Sequence, residues 1–481
     1  MDYDNLLIEY IDGQLINFPN QLNEKLYMNN TRFKERNEFN QLKSYIDEFL
    51  NDDYFHRFIV LPGLRGVGKS TLLFQVYDYL FKNNVSVNQI LYFSCEELNY
   101  IGNYSIKDVV DAFLKYYHER EIMTLDKNIF LLIDEAQYDK NWALAGKIIF
   151  DKTQKIFMIF TGSNALNLEL NADAARRMIK YDIPPLNYSQ YLKLKYNLNI
   201  NMPGNILDKL LFDADIKDAV RYENELKNKL INIPEYNTNQ WGLYIKYGGF
   251  PSLFHINNTY EQQVYLMDVI SKIVHNDMAN IRNFTTENQV NIQRVLTQLA
   301  LQRSNDLSQQ KLSKRLQTSL SNIKNILDTL EKTHLIFHVE AFGTASKRSK
   351  KSWKYYFASS SLKHALTLTF GNNTTRNEEY EGVLLENLIA TLLYNNFSNT
   401  PLQHKYLFYD SNKKNVDFLI QKDFQSPIPI EVGRGKKDRK QVSAAIKNYG
   451  SPHGIIISNN TNKIIKEDNI IYIPYKTFSS L

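Results

Sequence analysis

Gly63-Leu64-Arg65-Gly66-Val67-Gly68-Lys69-Ser70 gathers three glycines, a lysine and a hydroxyl into one short stretch. Glycines let consecutive backbone N–H groups curl around an anion, and a helix starting there adds positive potential. The spacing G-x-x-x-x-G-K-[ST] arises by chance in roughly one chain in fifty of this length, so its setting decides its meaning. Here the apolar run Phe58–Leu61 precedes it and a helical stretch, Ser70–Phe81, follows. That strand–loop–helix order is what a phosphate-binding P-loop requires. The expected contacts to ATP are Gly63, Arg65, Gly66, Val67, Gly68, Lys69, Ser70 and Thr71. Lys69 is expected to reach the β- and γ-phosphates, and Ser70 to hold Mg²⁺.

The rest of such a site needs an acid at the end of a nearby strand. Ile129–Ile133 ends in Asp134-Glu135. Asp134 is expected to hold the metal's hydration shell, and Glu135 to orient and polarise the attacking water. The bland alternative is a solvated acidic turn. Ile156–Phe160 ends in Thr161-Gly162-Ser163-Asn164, where Asn164 or Ser163 can hydrogen-bond the γ-phosphate or the water. Arg176-Arg177 follows, and one of the two can neutralise transition-state charge, in its own subunit or in a neighbour's within a homo-oligomer. A pair of surface arginines is the plain reading.

Four apolar runs alternate with helical stretches from residue 41: Phe58–Leu61, Leu91–Ser94, Ile129–Ile133 and Ile156–Phe160. Strands apolar on both faces predict a parallel sheet covered on both sides, an α/β fold. After Pro184-Pro185 helical patterns take over as far as Lys332. Leu335–Ala341 then reads as a strand, and residues 378–481 combine a long helix with short strands at Lys405–Phe408, Val416–Gln421, Ile428–Val432, Gly454–Ser458 and Asn469–Ile473.

Bulk properties bound the possibilities. A chain of 481 residues, 43% apolar, exceeds what one core serves and predicts several domains. A net charge of +5 leaves any nucleic-acid surface to a local patch. The single cysteine, Cys95, excludes an internal disulfide framework and fits a reducing compartment. Asp2, Asp4 and Glu9, with no basic residue before Lys25, do not make a signal or transit peptide. The apolar runs fall short of the ~20 residues a membrane span needs. The expectation is a cytoplasmic protein without a membrane partner.

With these motifs in place, the sequence resembles the archaeal-type P-loop ATPases, an AAA and STAND-like branch. The resemblance runs from about residue 32 to the end. It is carried by Pro62–Leu72, Ile133-Asp134-Glu135-Ala136-Gln137, Thr161-Gly162-Ser163, Arg177 with Ile183-Pro184-Pro185-Leu186, and Tyr247-Gly248-Gly249-Phe250-Pro251. It favours Arg177 over Arg176. It implies a helical lid, a winged helix and a C-terminal α/β restriction-endonuclease-like domain. The expected division is an N-terminal arm with a leading helix (1–40), a P-loop ATPase core (41–187), a lid (188–285), a winged helix (286–375) and the nuclease-like domain (376–481).

The residues can be read against both later parts. Leu312, Leu316, Ile323, Leu327 and Leu330 recur at helical spacing around a break at Thr318-Ser319, a helix-turn-helix pattern. Its second helix exposes Ser321, Asn322, Lys324 and Asn325, which can enter the major groove of double-stranded DNA. The basic run Lys347–Lys354 can meet phosphates. Winged helices also serve as packing modules. Farther on, Asp417 and Glu431 lie on adjacent strands, opposite the apolar positions, and can hold Mg²⁺ for phosphodiester hydrolysis, with Glu386 as a third ligand. The nuclease pattern adds a lysine two residues after the second acid, where this chain has Gly433. Lys436 or Lys437 can migrate into the role. Otherwise the fold is a degenerate nuclease that binds DNA or a partner.

Two readings follow. One is an ATPase switch that governs a DNA-binding or DNA-cutting end. The other is a STAND-like sensor or scaffold with slow turnover and a protein partner, with anti-phage defence as an analogy from the architecture. A metabolic kinase has no use for a lid and a winged helix.

Overall fold

The structure, a computed structural model, describes residues 5–28, 31–162, 176–200, 204–237, 239–278, 286–302, 308–371, 377–398, 405–412, 416–435 and 437–481. It divides into two compact units, Met1–Pro184 and Pro185–Leu481. The lid, winged-helix and nuclease-like parts expected from sequence all fall within the second of these units. The reason lies in shared cores and one shared sheet.

The first unit opens with a helix, Asn5–Leu26, and a two-residue ribbon of β1 (Tyr27–Met28) and β2 (Thr31–Arg32). This helix is no detached arm. Leu7 and Ile11 are fully buried in the same apolar cluster as the central strands. The helix Glu38–Leu50 follows, then β3 (Phe58–Pro62), the Gly-rich loop and the helix Lys69–Lys82. Three more strands, β4 (Ile90–Ser94), β5 (Ile129–Asp134) and β6 (Ile156–Gly162), alternate with helices, and β7 (Ile179–Lys180) closes the unit. The five strands lie in the order β4-β5-β6-β3-β7, all parallel. β3, β4 and β5 are buried along their whole length, as strands covered by helices on both faces must be.

The second unit begins with helices, among them Tyr188–Tyr196, Lys217–Ile231, Gln240–Tyr247, Gln309–Leu316 and Leu320–Lys332. A hairpin, β8 (Ile336–Ala341) and β9 (Lys354–Phe357), comes next, followed by the long helix Asn377–Ser398. The remaining strands are β10 (Lys405–Tyr409), β11 (Phe418–Lys422), β12 (Ile428–Val432), β13 (Gly454–Ser458), β14 (Ile465–Glu467) and β15 (Ile470–Pro474). They form one eight-stranded sheet, β14-β15-β13-β12-β11-β10-β8-β9. β10 joins the hairpin by pairing in parallel with β8, Phe408 opposite Glu340 and Tyr409 opposite Ala341.

One apolar cluster runs from Tyr188 through Phe337 and Leu385 to Phe478. The helices after residue 185, the hairpin and the last strands are thus one body. Glu223, fully buried, accepts hydrogen bonds from Ile464 N (2.8 Å) and Thr477 Oγ1 (2.7 Å). Sequence periodicity could not reveal this fusion, because strand pairing across a linker leaves no local pattern. Among the described residues no helix is long and apolar enough to cross a membrane.

Candidate nucleotide and phosphodiester sites

Ligands of open parallel sheets sit beyond the carboxyl ends of the strands, and that is where the P-loop, Asp134 and Thr161 converge. The loop leaves β3 with Gly66 at φ 81° and Gly68 at φ 97°, conformations that side-chain-bearing residues adopt only under strain. Those two angles turn the chain so that the helix Lys69–Lys82 starts at the loop's mouth. Lys69 is only 4% exposed, and its ammonium donates to the carbonyls of Gly63 and Leu64, both at 3.0 Å. The cation is therefore held inside the curl of its own loop.

Asp134, 5% exposed at the end of β5, is the hub of the other half. Thr161 Oγ1 donates to its Oδ1, and Tyr92 Oη donates to Oδ2 at 3.2 Å. Burial pushes the Asp134 carboxyl above the usual range and Glu135 adds to it, while Thr161, Ser70 and Lys69 pull the other way. A buried carboxylate in this balance gains from a cation. The sheet order explains the convergence: β6 lies between β3 and β5, so its tip carries Thr161 into the space between the loop and the acid.

Glu135 adopts a left-handed conformation, φ 50°, which costs a non-glycine residue about 1 kcal/mol or more. Its backbone N–H donates to Thr161 Oγ1 at 3.2 Å, and its carboxylate accepts from Gln137 Nε2. Arg65 reaches Tyr138 Oη at 3.4 Å, and Val67 is fully buried.

Sequence reading missed three supports. Tyr92 and Thr161 bind Asp134 through strand pairing alone. Arg36, placed by the sequence in an N-terminal arm, is buried and donates to Val67 O at 2.6 Å and Pro184 O at 2.8 Å, with Glu38 as its counter-ion at 2.9 Å. It braces the P-loop from behind. The signal for it was the short Arg36/Glu38 spacing before the first helix of the core.

Two expected residues stand differently. Asn164, with Ser163, lies outside the described residues. Arg177 is not within reach of its own P-loop. Ile179 pairs with Ile59 in parallel register, which sets Arg177 level with Arg57, at the opposite end of β3. Six residues of strand at about 3.3 Å each put some 20 Å between that level and Gly63. Arg177 bonds Asp151 there, in the last turn of the helix Trp142–Lys152. Cys95 is a free, buried thiol, and burial pushes its pKa up.

The second unit holds the other acids. β11 and β12 are antiparallel with Phe418 opposite Ile430, so Asp417 and Glu431 face each other one step on. Asp417 Oδ2 accepts from Val432 N at 2.7 Å. Glu431 is only 2% exposed. Its Oε1 accepts from Lys437 Nζ at 2.8 Å, while Oε2 is buried with no hydrogen-bond partner. Lys437 lies directly over Gly433: a Cβ added to that glycine would meet Lys437 Cε at 2.1 Å. The ammonium missing at position 433 is thus delivered from four residues on, across a glycine that leaves room for its stem. Lys436 lies outside the described residues.

Burial pushes Asp417 up to about 8, with Glu386 and Glu431 adding to it. Burial raises Glu431 as well, against the pull of Lys437. Lys437 would be lowered by burial, but Glu431, Asp417 and Glu386 outweigh that and hold it charged. Among the described residues no group of three or more His, Cys, Asp or Glu side chains is arranged to hold a metal ion. Glu386 stands close enough for its charge to act on Asp417, Glu431 and Lys437, and its Oε1 accepts the Tyr356 hydroxyl at 2.9 Å. Asp417 and Glu431, with an orphaned buried oxygen, do fit a two-carboxylate site for a divalent cation.

Comparison with known proteins agrees with this geometry at the level of domains. Residues 55–192 match the family described as AAA domain. Residues 238–374 and 381–478 match two families described as domains of unknown function, DUF8612 and DUF4143. The Methanocaldococcus jannaschii protein MJ1637 is 30% identical over 447 residues, which cover 92% of this chain and 89% of that one. A Haemophilus influenzae protein is 26% identical over 383 residues, covering 76% and 82%. The solved structure of the Aeropyrum pernix ORC1 protein in complex with DNA aligns at a TM-score of 0.32 and 11% identity, covering 72% of this chain and 95% of that one, a likeness too low to carry an argument. By its relation to MJ1637 the chain belongs to that protein's family, and its first unit is an AAA-type P-loop ATPase domain.

Proposed function

We propose that this chain binds ATP with Mg²⁺, hydrolyses it at the P-loop, and uses its nucleotide state to govern a DNA-cutting second unit. The observation that carries the first part is the convergence of Lys69, Ser70, Asp134 and Glu135 at the carboxyl ends of β3 and β5. Lys69 neutralises the β- and γ-phosphates, and the backbone N–H groups of Gly66–Ser70 cradle them. Ser70 and Asp134 would hold Mg²⁺, which supplies charge stabilisation on the transferring phosphoryl group. Glu135 takes the proton of the attacking water.

Glu135→Gln is therefore expected to keep ATP affinity within about threefold and to lower hydrolysis by on the order of 10²-fold or more. Titration calorimetry and phosphate release measure the two separately. Turnover at the wild-type rate would move the base elsewhere.

The remoteness of Arg177 from its own loop leaves it a role only in a neighbour's site, in a homo-oligomer. Arg177→Ala then lowers hydrolysis by roughly 10²-fold with little change in ATP affinity. Mixing Arg177→Ala with Glu135→Gln restores part of the activity, because some mixed interfaces pair an intact arginine with an intact glutamate. No restoration, with full activity of Arg177→Ala alone, leaves the residue a surface charge paired to Asp151.

In the second unit, residues 188–285 are proposed as a lid, 286–375 as a winged helix and 376–481 as a restriction-endonuclease-like domain. Support for the winged helix is the pair of helices Gln309–Leu316 and Leu320–Lys332, capped by Ser308 and Ser319, followed by the β8–β9 hairpin. The basic run is shorter than its sequence extent. Lys354 is buried, its ammonium over the Tyr409 ring at 5.2 Å, so only Lys347, Lys350 and Lys351 stand exposed for phosphates. Support for cutting is Lys437 on Glu431. Asp417 and Glu431 would hold a divalent cation that activates water and stabilises phosphate charge, and Lys437 adds its own charge at the same phosphate.

A further inference from the structure

Beside the helix Leu320–Lys332, a groove of about 910 Å³ separates that helix from the β8–β9 hairpin and the short helix Ala345–Lys350. Its wall is aromatic. The rings of His338 and Trp353 stack at a centroid distance of 3.8 Å and 8° between planes. Tyr355, the cross-strand partner of His338, flanks them, tilted, at 6.1 Å from His338. Strand alternation sends Tyr356 the other way, into the core. The platform is pinned from outside: His338 Nδ1 pairs with the Glu331 carboxylate, and Tyr355 Oη accepts from Gln309 Nε2 at 3.0 Å. Little rotamer freedom is left to lose when a flat ligand stacks there.

The charges around this wall are of both signs. Lys324, Arg348, Lys350 and Lys351 line the groove, but so do Asp328, Glu331 and Glu340, and Arg348 is already paired to Glu340 at 3.4 Å. A ribbon of phosphates laid into the groove would meet those carboxylates. A cationic peptide would meet four basic side chains. A neutral, flat, amine-bearing ring joined to a phosphate suits all three features: the ring on Trp353, its amino edge toward the carboxylates, its phosphate toward the lysines. We propose that this groove takes an unpaired nucleobase of a nucleic-acid strand, so that the second unit recognises single-stranded or end-frayed DNA rather than a closed duplex.

The inference rests on the reading of the second unit as DNA-binding, and the test separates the two. Full-length protein is titrated by fluorescence anisotropy with a labelled mixed-sequence single strand and with the same sequence as a blunt duplex. Trp353→Ala weakens single-strand binding by about tenfold, as loss of one base–aromatic stack does, and leaves duplex binding within about twofold. Trp353→Phe, which keeps a stacking face, recovers most of the single-strand affinity, and unchanged thermal unfolding of both variants shows the fold intact. Single-strand affinity unmoved by Trp353→Ala, or equal losses on both substrates, overturns the groove while leaving a DNA-binding unit in place. No binding of either substrate by the wild type overturns both.

Discussion

Lys69→Ala is expected to abolish ATP turnover and to weaken ATP binding by about 1.5–3 kcal/mol, or roughly 10- to 150-fold. The loss is large because of where the ammonium is held. It is buried and fixed by the carbonyls of Gly63 and Leu64, so its position at the phosphates needs no reorganisation as charge develops. A preorganised contact of that kind is worth on the order of 10²–10³ in rate on its own. The fold does not depend on it to the same degree, since the loop is also braced by Arg36 on Val67 O and by the turn at Gly66 and Gly68. Titration calorimetry with ATP, phosphate release and a thermal scan give the three readouts. Unchanged affinity with unchanged turnover would remove the P-loop from the chemistry.

The second large effect belongs to Asp417 and Lys437. Mg²⁺-dependent digestion of DNA is expected from the wild type, at a rate that changes when ATP is added, and is lost in Asp417→Ala. Lys437→Ala lowers the rate by on the order of 10²–10³, the usual cost of removing one charge placed at a reacting phosphate. Gly433 by itself argues for a feeble enzyme. The ammonium of Lys437 on Glu431 at 2.8 Å is what supports an active site despite it.

A metal-free measurement checks the same site without any activity. Asp417 holds its proton up to about pH 8 in the folded chain, whereas an ordinary aspartate releases it near 4. The folded state therefore binds the extra proton between those values. The stability it brings is fully present below the lower value and lost as pH rises through the upper one. In the presence of a chelator, the wild-type melting temperature falls from pH 6 to 9, and Asp417→Asn, which cannot ionise, falls less. Parallel melting curves for the two proteins would mean that Asp417 is not crowded by Glu386 and Glu431. DNA left intact by a wild type that binds it would make this a binding fold alone.

Local chemistry was enough for much of this. The glycines at 63, 66 and 68, the lysine and serine after them, and the acid pair closing an apolar run are short-range patterns. They announce a P-loop wherever the chain puts them. The strands Phe58–Leu61, Ile129–Ile133 and Ile428–Val432 were legible because covered strands are continuous apolar runs, and the helix Glu38–Leu50 because its apolar stripe recurs every three or four residues. The Asp417–Glu431 juxtaposition followed from alternation on two strands joined by a turn.

What the sequence left open was decided by pairing between distant segments. The insertion of β6 between β3 and β5 puts Thr161 on Asp134, and the order of β4 and β5 does the same for Tyr92. Parallel register with β3 removes Arg177 from its own loop. The pairing of β10 with β8 joins the hairpin to the last sheet. Lys437 reaches Glu431 because the chain folds back over a residue without a side chain. Each of these is a choice among partners far apart in the chain, made by which apolar faces bury together and which backbone edges find hydrogen bonds. A window of ten residues holds no record of such choices, and only the folded chain settles them.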